Sequence, residues 1–133
     1  MIIPKDPPVY IGPERGQFIV FQDRHGRVAV TAGRVVVGMV SPPVVVTAPA
    51  AWTGRKIDQD GTAWLAIETN SSGVVIGATT GANDSLPAEE VTGGGGARYY
   101  LPLAYIEGRV IYPVLAGGSA VQFVVPTGTT AIP

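Results

Sequence analysis

Apolar residues in this chain come in short runs, and most runs alternate with polar residues in steps of two. That period puts successive side chains on opposite faces of a strand, whereas a helix repeats about every 3.6 residues. Residues 17–23 (QFIVFQD) read as a strand buried on both faces for part of its length. Residues 24–27 (RHGR) read as a turn, with Gly26 free to take positive φ. Residues 28–32 (VAVTA) alternate and are expected as the hairpin partner. Gly33 breaks that strand, and residues 34–40 (RVVVGMV) form the next. Pro42-Pro43 ends it, because proline cannot donate to a central ladder. Residues 44–47 fit a short edge strand and residues 52–59 another strand, closed by a hairpin turn at Asp60-Gly61. Residues 62–70 (TAWLAIETN) make the clearest central strand, with Ala63, Leu65 and Ile67 on one face. Trp64, Ala66 and Glu68 take the other face. Asn70-Ser71-Ser72-Gly73 is a tight turn, and residues 74–78 return.

Residues 79–97 predict a flexible, glycine-rich loop, with a turn of helix at most over 88–91, after Pro87. Residues 98–107 (RYYLPLAYIE) resume a strand, with Tyr99, Leu101, Leu103 and Tyr105 expected on one face. Gly108 turns it into residues 109–115, and residues 121–125 follow as a last strand. Pro102 and Pro113 inside strands point to edges or bulges. Strands at roughly 8–12-residue spacing predict an all-β fold, an antiparallel β-sandwich or barrel of about nine short strands. The expected organisation is one β domain over 17–126. An extended Pro-rich N-terminal arm (1–16) precedes it and a small-residue tail (127–133) follows.

A length of 133 residues fits one domain. The chain has no cysteine, which excludes disulfides, thiolate metal sites and cysteine nucleophiles. A formal charge of -1 without a basic stripe argues against nucleic-acid binding. No apolar run approaches the ~20 residues of a membrane helix, so no membrane insertion is expected. The first residues show no basic segment followed by an apolar one, so no targeting signal is expected. Charged residues make up 14% of the chain, against about 25% in an average domain. So sparse a charged coat fits a monomer whose surface is rich in Thr, Ser, Gly and Ala, or, the reading preferred here, an apolar surface partly covered by copies of the chain or by a partner.

Candidate chemistry is thin. His25 sits in a turn between arginines, where a solvated surface role outweighs that of a general base. Asp58, Asp60 and Gly61 imitate part of a calcium loop, but Lys56 and Ile67 stand where acids are required. Asp84, Glu89 and Glu90 offer only a loose acidic loop, and Glu68 and Glu107 end strands with nothing to pair them. The run Gly93–Gly96 lacks the lysine and the following helix of a phosphate loop. No catalytic, cofactor or metal site is therefore expected, and the chain reads as a non-enzyme. The aromatics remain. Core packing is the simpler role for Trp64 and Tyr105. Tyr99 and Tyr100 are adjacent and must face opposite ways, so one of them leaves the core. Tyr99 and Tyr100, with Trp52, Tyr112 and Tyr10 of the arm, are the candidate interface residues.

Three segments carry a resemblance: Val28 to Val35 (VAVTAGRV), Trp64 to Glu68 (WLAIE), and Leu86-Pro87 followed by Tyr99 to Gly108 (YYLPLAYIEG). Together they resemble small bacteriophage virion structural proteins, of the tail-fibre, baseplate or capsid-decoration type, over Val28 to Leu115. The resemblance is one of strand sequence pattern and has no catalytic motif to carry over. It implies a homo-oligomer, commonly a trimer, that contacts capsid or tail proteins and resides in the virion. The absence of a long fibre repeat favours a compact knob, adaptor or decoration module over a shaft. The alternative is a carbohydrate-binding β-sandwich module that uses exposed aromatics, and host surface glycans would then be the partner.

Overall fold

In the computed structural model, residues 17–38, 44–114 and 120–126 are described. The arm with Tyr10 and the tail lie outside these residues. The chain folds into eleven strands among the described residues, and no helix occurs there. The first five are β1 (Val20–Gln22), β2 (Arg27–Val30), β3 (Gly33–Val37), β4 (Val44–Ala48) and β5 (Ala51–Lys56). Next come β6 (Gly61–Thr69), β7 (Val75–Asn83), β8 (Glu90–Val91) and β9 (Ala97–Glu107). The last two are β10 (Val110–Pro113) and β11 (Val121–Phe123). They make three sheets, ordered β1-β2-β5, β10-β9-β6-β7 with β8 on β9, and β11-β3-β4. This is the all-β, sandwich-like architecture that alternation predicts.

β6 is the centre of the large sheet because its inward residues suit burial and its neighbours are long. Ala63, Leu65 and Ile67 are fully buried. Leu65 and Ile67 share one core with Val35 and Val37 of β3, Ala48 of β4, Leu103 of β9 and Phe123 of β11. The inner face of the large sheet thus packs on β3, β4 and β11. A smaller cluster of Val28, Ile57 and Ile106 joins the β1-β2-β5 sheet to the far end of β9. Phe18 enters the main core with φ of 56°, a left-handed conformation rare for a bulky side chain. Its ring lies against Gly33, where an added Cβ would sit 2.5 Å from the ring carbons.

Several expectations hold. β1 and β2 form the antiparallel hairpin, and Gly26 takes φ of 76° in its turn. β4 is an edge strand. The Asn70 side chain accepts from the Ser72 and Val74 amides and closes the turn into β7. Pro113 lies on the edge strand β10, and Pro102 lies next to a bulge.

Others are corrected. Thr79 to Asn83 are not loop but the second half of β7, paired along Thr62 to Ala66. Glu90–Val91 is a short strand on β9 and not a helical turn, so the irregular stretch reduces to residues 84–89 and 92–96. No β5–β6 hairpin forms: β5 pairs β2, and the turn at residues 57–60 carries the chain into the large sheet. β11 runs parallel to β3, which alternation within one strand does not encode. Tyr105 leaves the core and is 48% exposed. The cause is the bulge: Ala63 pairs Ala104 while Trp64 pairs Pro102, so Leu103 is an extra residue. One extra residue reverses every later side chain. Leu103, Ala104 and Ile106 are buried and Tyr105 points out.

Candidate binding face on the large sheet

The side of the large sheet away from the core carries four cross-strand rows. Tyr112, Tyr105, Thr62 and Asn83 stand in the first. Pro102, Trp64 and Gly81 stand in the second, and Tyr100, Ala66 and Thr79 in the third. Arg98, Glu68 and Gly77 stand in the fourth, with Glu90 of β8 beyond Arg98. An aromatic end thus passes into a charged end across a floor of small residues.

Trp64 anchors the middle. An added Cβ at Gly81 would fall 2.6 Å from the indole six-membered ring, so the indole lies directly on glycine backbone. Its Nε1–H donates to Asn83 Oδ1 at 2.9 Å. The Tyr100 and Trp64 rings stand perpendicular, with centroids 5.0 Å apart and planes at 88°. That T-shaped contact suits the two ring quadrupoles. Trp64 is therefore neither a core residue nor fully free: it is half-buried on the outer face.

The charged end is a compact network. Arg98 donates to Glu68 at 3.0 Å and to Glu90 at 2.6 Å, and the Tyr100 hydroxyl donates to Glu90 at 2.8 Å. The Tyr100 and Arg98 hydrogen bonds hold the Glu90 carboxyl below its ordinary range. Glu68 first, then Tyr100 and Glu90, raise the Arg98 guanidinium above its ordinary value, so it stays ionised. Beside this network lies an open depression of about 160 Å³, lined by Ala66, Glu68, Ile76, Gly77, Thr79 and Arg98. Ile76 reaches it through a second bulge: Glu68 pairs Gly77 and Thr69 pairs Val75, so Ile76 is the extra residue.

The expected interface residues separate. Tyr100 and Tyr112 lie on this face, and Tyr112 is 52% exposed. Tyr99 faces the core, 5.6 Å from the Phe123 ring, and burial with the Glu89 charge raises its phenol pKa. Trp52 lies on another sheet, half-buried beneath the Arg27 guanidinium at 5.9 Å. Its buried indole N–H lies near Asp23 without closing a hydrogen bond in good geometry. Partial burial pushes the Asp23 carboxyl up, but amides of Arg27 and His25 and the nearby indole outweigh it, and its pKa falls. Tyr10 lies outside the described residues. Sequence reasoning missed Trp64, Tyr105 and Arg98. The alternation of β6 placed Trp64 opposite Leu65, which was the available signal.

Of the candidate acids, Asp60, Asp84, Glu68 and Glu90 have structural partners. Asp60 accepts from the Gly108 amide at 3.1 Å, and Asp84 pairs with Arg55. Glu68 and Glu107 sit nine residues apart along β9's ladder, opposite Arg98 and Val110. Among the described residues, no three His, Asp or Glu side chains gather as metal ligands. No helix there is long and apolar enough to cross a membrane. No protein-family model, no curated protein and no solved structure matches the chain.

Proposed function

We propose that this chain is a non-enzymatic virion structural protein, a capsid-decoration module or a tail or baseplate knob or adaptor. It acts by self-association and protein–protein contact. The observation that carries the reading is the cross-strand pair Tyr105–Tyr112, about half exposed on the outer face of the large sheet. Val110 and Val114 flank Tyr112 and are also exposed. Large rigid aromatics with apolar neighbours are the usual centre of a protein interface. The low charged fraction and the resemblance to small phage virion proteins support the same reading, and the resemblance supports a trimer. A standard interface buries about 1,600 Å² in total, more than this pair supplies, so the surrounding β9–β10 surface takes part.

The test is sedimentation velocity at rising concentration on the chain and on a Tyr105→Ser/Tyr112→Ser double variant. The reading expects the parent to sediment as an assembly and the double variant to shift at least tenfold in apparent dissociation constant. Identical sedimentation of the two would contradict it.

A further inference from the structure

We propose that Tyr112 of one copy of the chain seats its ring in the depression at the charged end of the large sheet of a second copy. The inference rests on the assembly reading and names the surface that receives the tyrosine. The depression holds about 160 Å³. A space of about 150 Å³ takes one benzene ring, so there is room here for a single aromatic side chain. Its floor is small, at Ala66 and Gly77, and one wall is apolar, at Ile76, which is 56% exposed. A ring laid against that wall removes apolar surface from water.

The polar side of the depression selects the occupant. Glu68 and Arg98 both line it and are paired, Arg98 donating to Glu68 Oε1 at 3.0 Å. An entering carboxylate would face Glu68 and an entering cation would face Arg98, so a neutral side chain enters at least cost. The second oxygen of Glu68 can accept from a hydroxyl. A phenol meets both demands, with a ring for Ile76 and an O–H for Glu68. Among the described residues, Tyr105 and Tyr112 are the exposed large apolar side chains that carry a donor. Tyr112 stands on the edge strand β10, and the exposed Val110 and Val114 beside it extend the contact toward Ile76 and the exposed Val74. A copy cannot seat its own Tyr112. That residue pairs Tyr105, and Tyr105 and Arg98 stand near opposite ends of β9, roughly 20 Å apart. The contact therefore runs between copies and joins two different patches.

The experiment is sedimentation velocity on the full-length chain, on variants of each patch, and on their mixture. An added Cβ at Gly77 meets nothing within 4 Å, so Gly77→Val fills the depression from its floor without a clash. Ile76→Ser removes the exposed wall and serves if Gly77→Val does not fold. Each should weaken self-association by about tenfold or more, as Tyr112→Ser does, the effect of a residue central to an interface. The mixture carries the decisive result. A Gly77→Val copy keeps its tyrosine and a Tyr112→Ser copy keeps its depression, so equal amounts of the two should form a 1:1 complex that neither forms alone. Ile76→Ser takes the place of Gly77→Val in the mixture if needed. The proposal is overturned if the folded depression variants associate as the parent does, or if the mixture shows no complex. In either case loss of association by the tyrosine variants would leave the assembly reading standing. A parent that does not associate at all overturns both.

Discussion

At the scale of single residues, two backbone positions set clear expectations. Gly108 and Arg109 take φ of 59° and 66° and connect β9 to β10 as a two-residue hairpin loop. Such loops need positive φ at both positions, which glycine takes without a Cβ clash and asparagine tolerates through local hydrogen bonds of its side chain. Arg109→Gly should therefore stabilise the chain by about 1 kcal/mol. Urea titration would show the midpoint rising at unchanged slope. Gly33→Ala is the opposite case. The new methyl would meet the Phe18 ring, which is buried and cannot retreat. A cost of about 1–3 kcal/mol is expected, as for an overpacked core. Phe18→Leu in the same background should recover part of it, because the smaller side chain yields the space. At this scale the sequence was only half legible. That Tyr99 and Tyr100 diverge follows from the period of two. Which one faces out depends on sheet partners that lie far away in the chain.

At the scale of elements, alternation located nearly every strand, and two kinds of information were missing from it. One is register after an irregularity. Pro102 announced a bulge, but only the pairing of Ala63 with Ala104 shows that Leu103 is the extra residue and that Tyr105 is thereby turned outward. The other is partnership. Asp60-Gly61 looks like a hairpin turn, yet the strands it joins sit in different sheets, and β11 finds β3 in parallel across most of the chain. The loop was overestimated because Thr79–Asn83 and Glu90–Val91 have few large apolar residues. Their pairing comes from long partners, not from their own propensity. β8 has its own pH dependence. Glu90 ties it to Arg98 and Tyr100, and its folded pKa lies below the ordinary carboxylate value. This tether is therefore complete above the ordinary carboxylate range and is lost as pH falls through the lowered folded value. The Thr92 amide, which donates to Gly96 at the end of β8 at 3.0 Å, should lose protection relative to its intrinsic exchange rate as pH falls over that window, and Glu90→Gln should remove this pH dependence of the protection factor. A Thr92 protection factor that is flat across the window would sink the tether.

At the scale of the whole molecule, fold and function separate. The core is shared by all three sheets, and Leu65 at its centre is fully buried. Leu65→Ala should cost about 2–5 kcal/mol, read as a loss in unfolding free energy. The outer face contributes little to that core, so Tyr105→Ser and Tyr112→Ser should leave the unfolding free energy of the dissociated chain nearly unchanged while altering association. That contrast distinguishes an interface from a packing role. The composition had already indicated a surface short of charge, and the structure gives that surface an aromatic end and a charged end.

The central claim is self-association, and the most direct measurement is the mass of the chain by light scattering coupled to size exclusion, over a range of loading concentrations. The account predicts a mass three times the 13.7 kDa of one chain. A mass of 13.7 kDa at every concentration would contradict it.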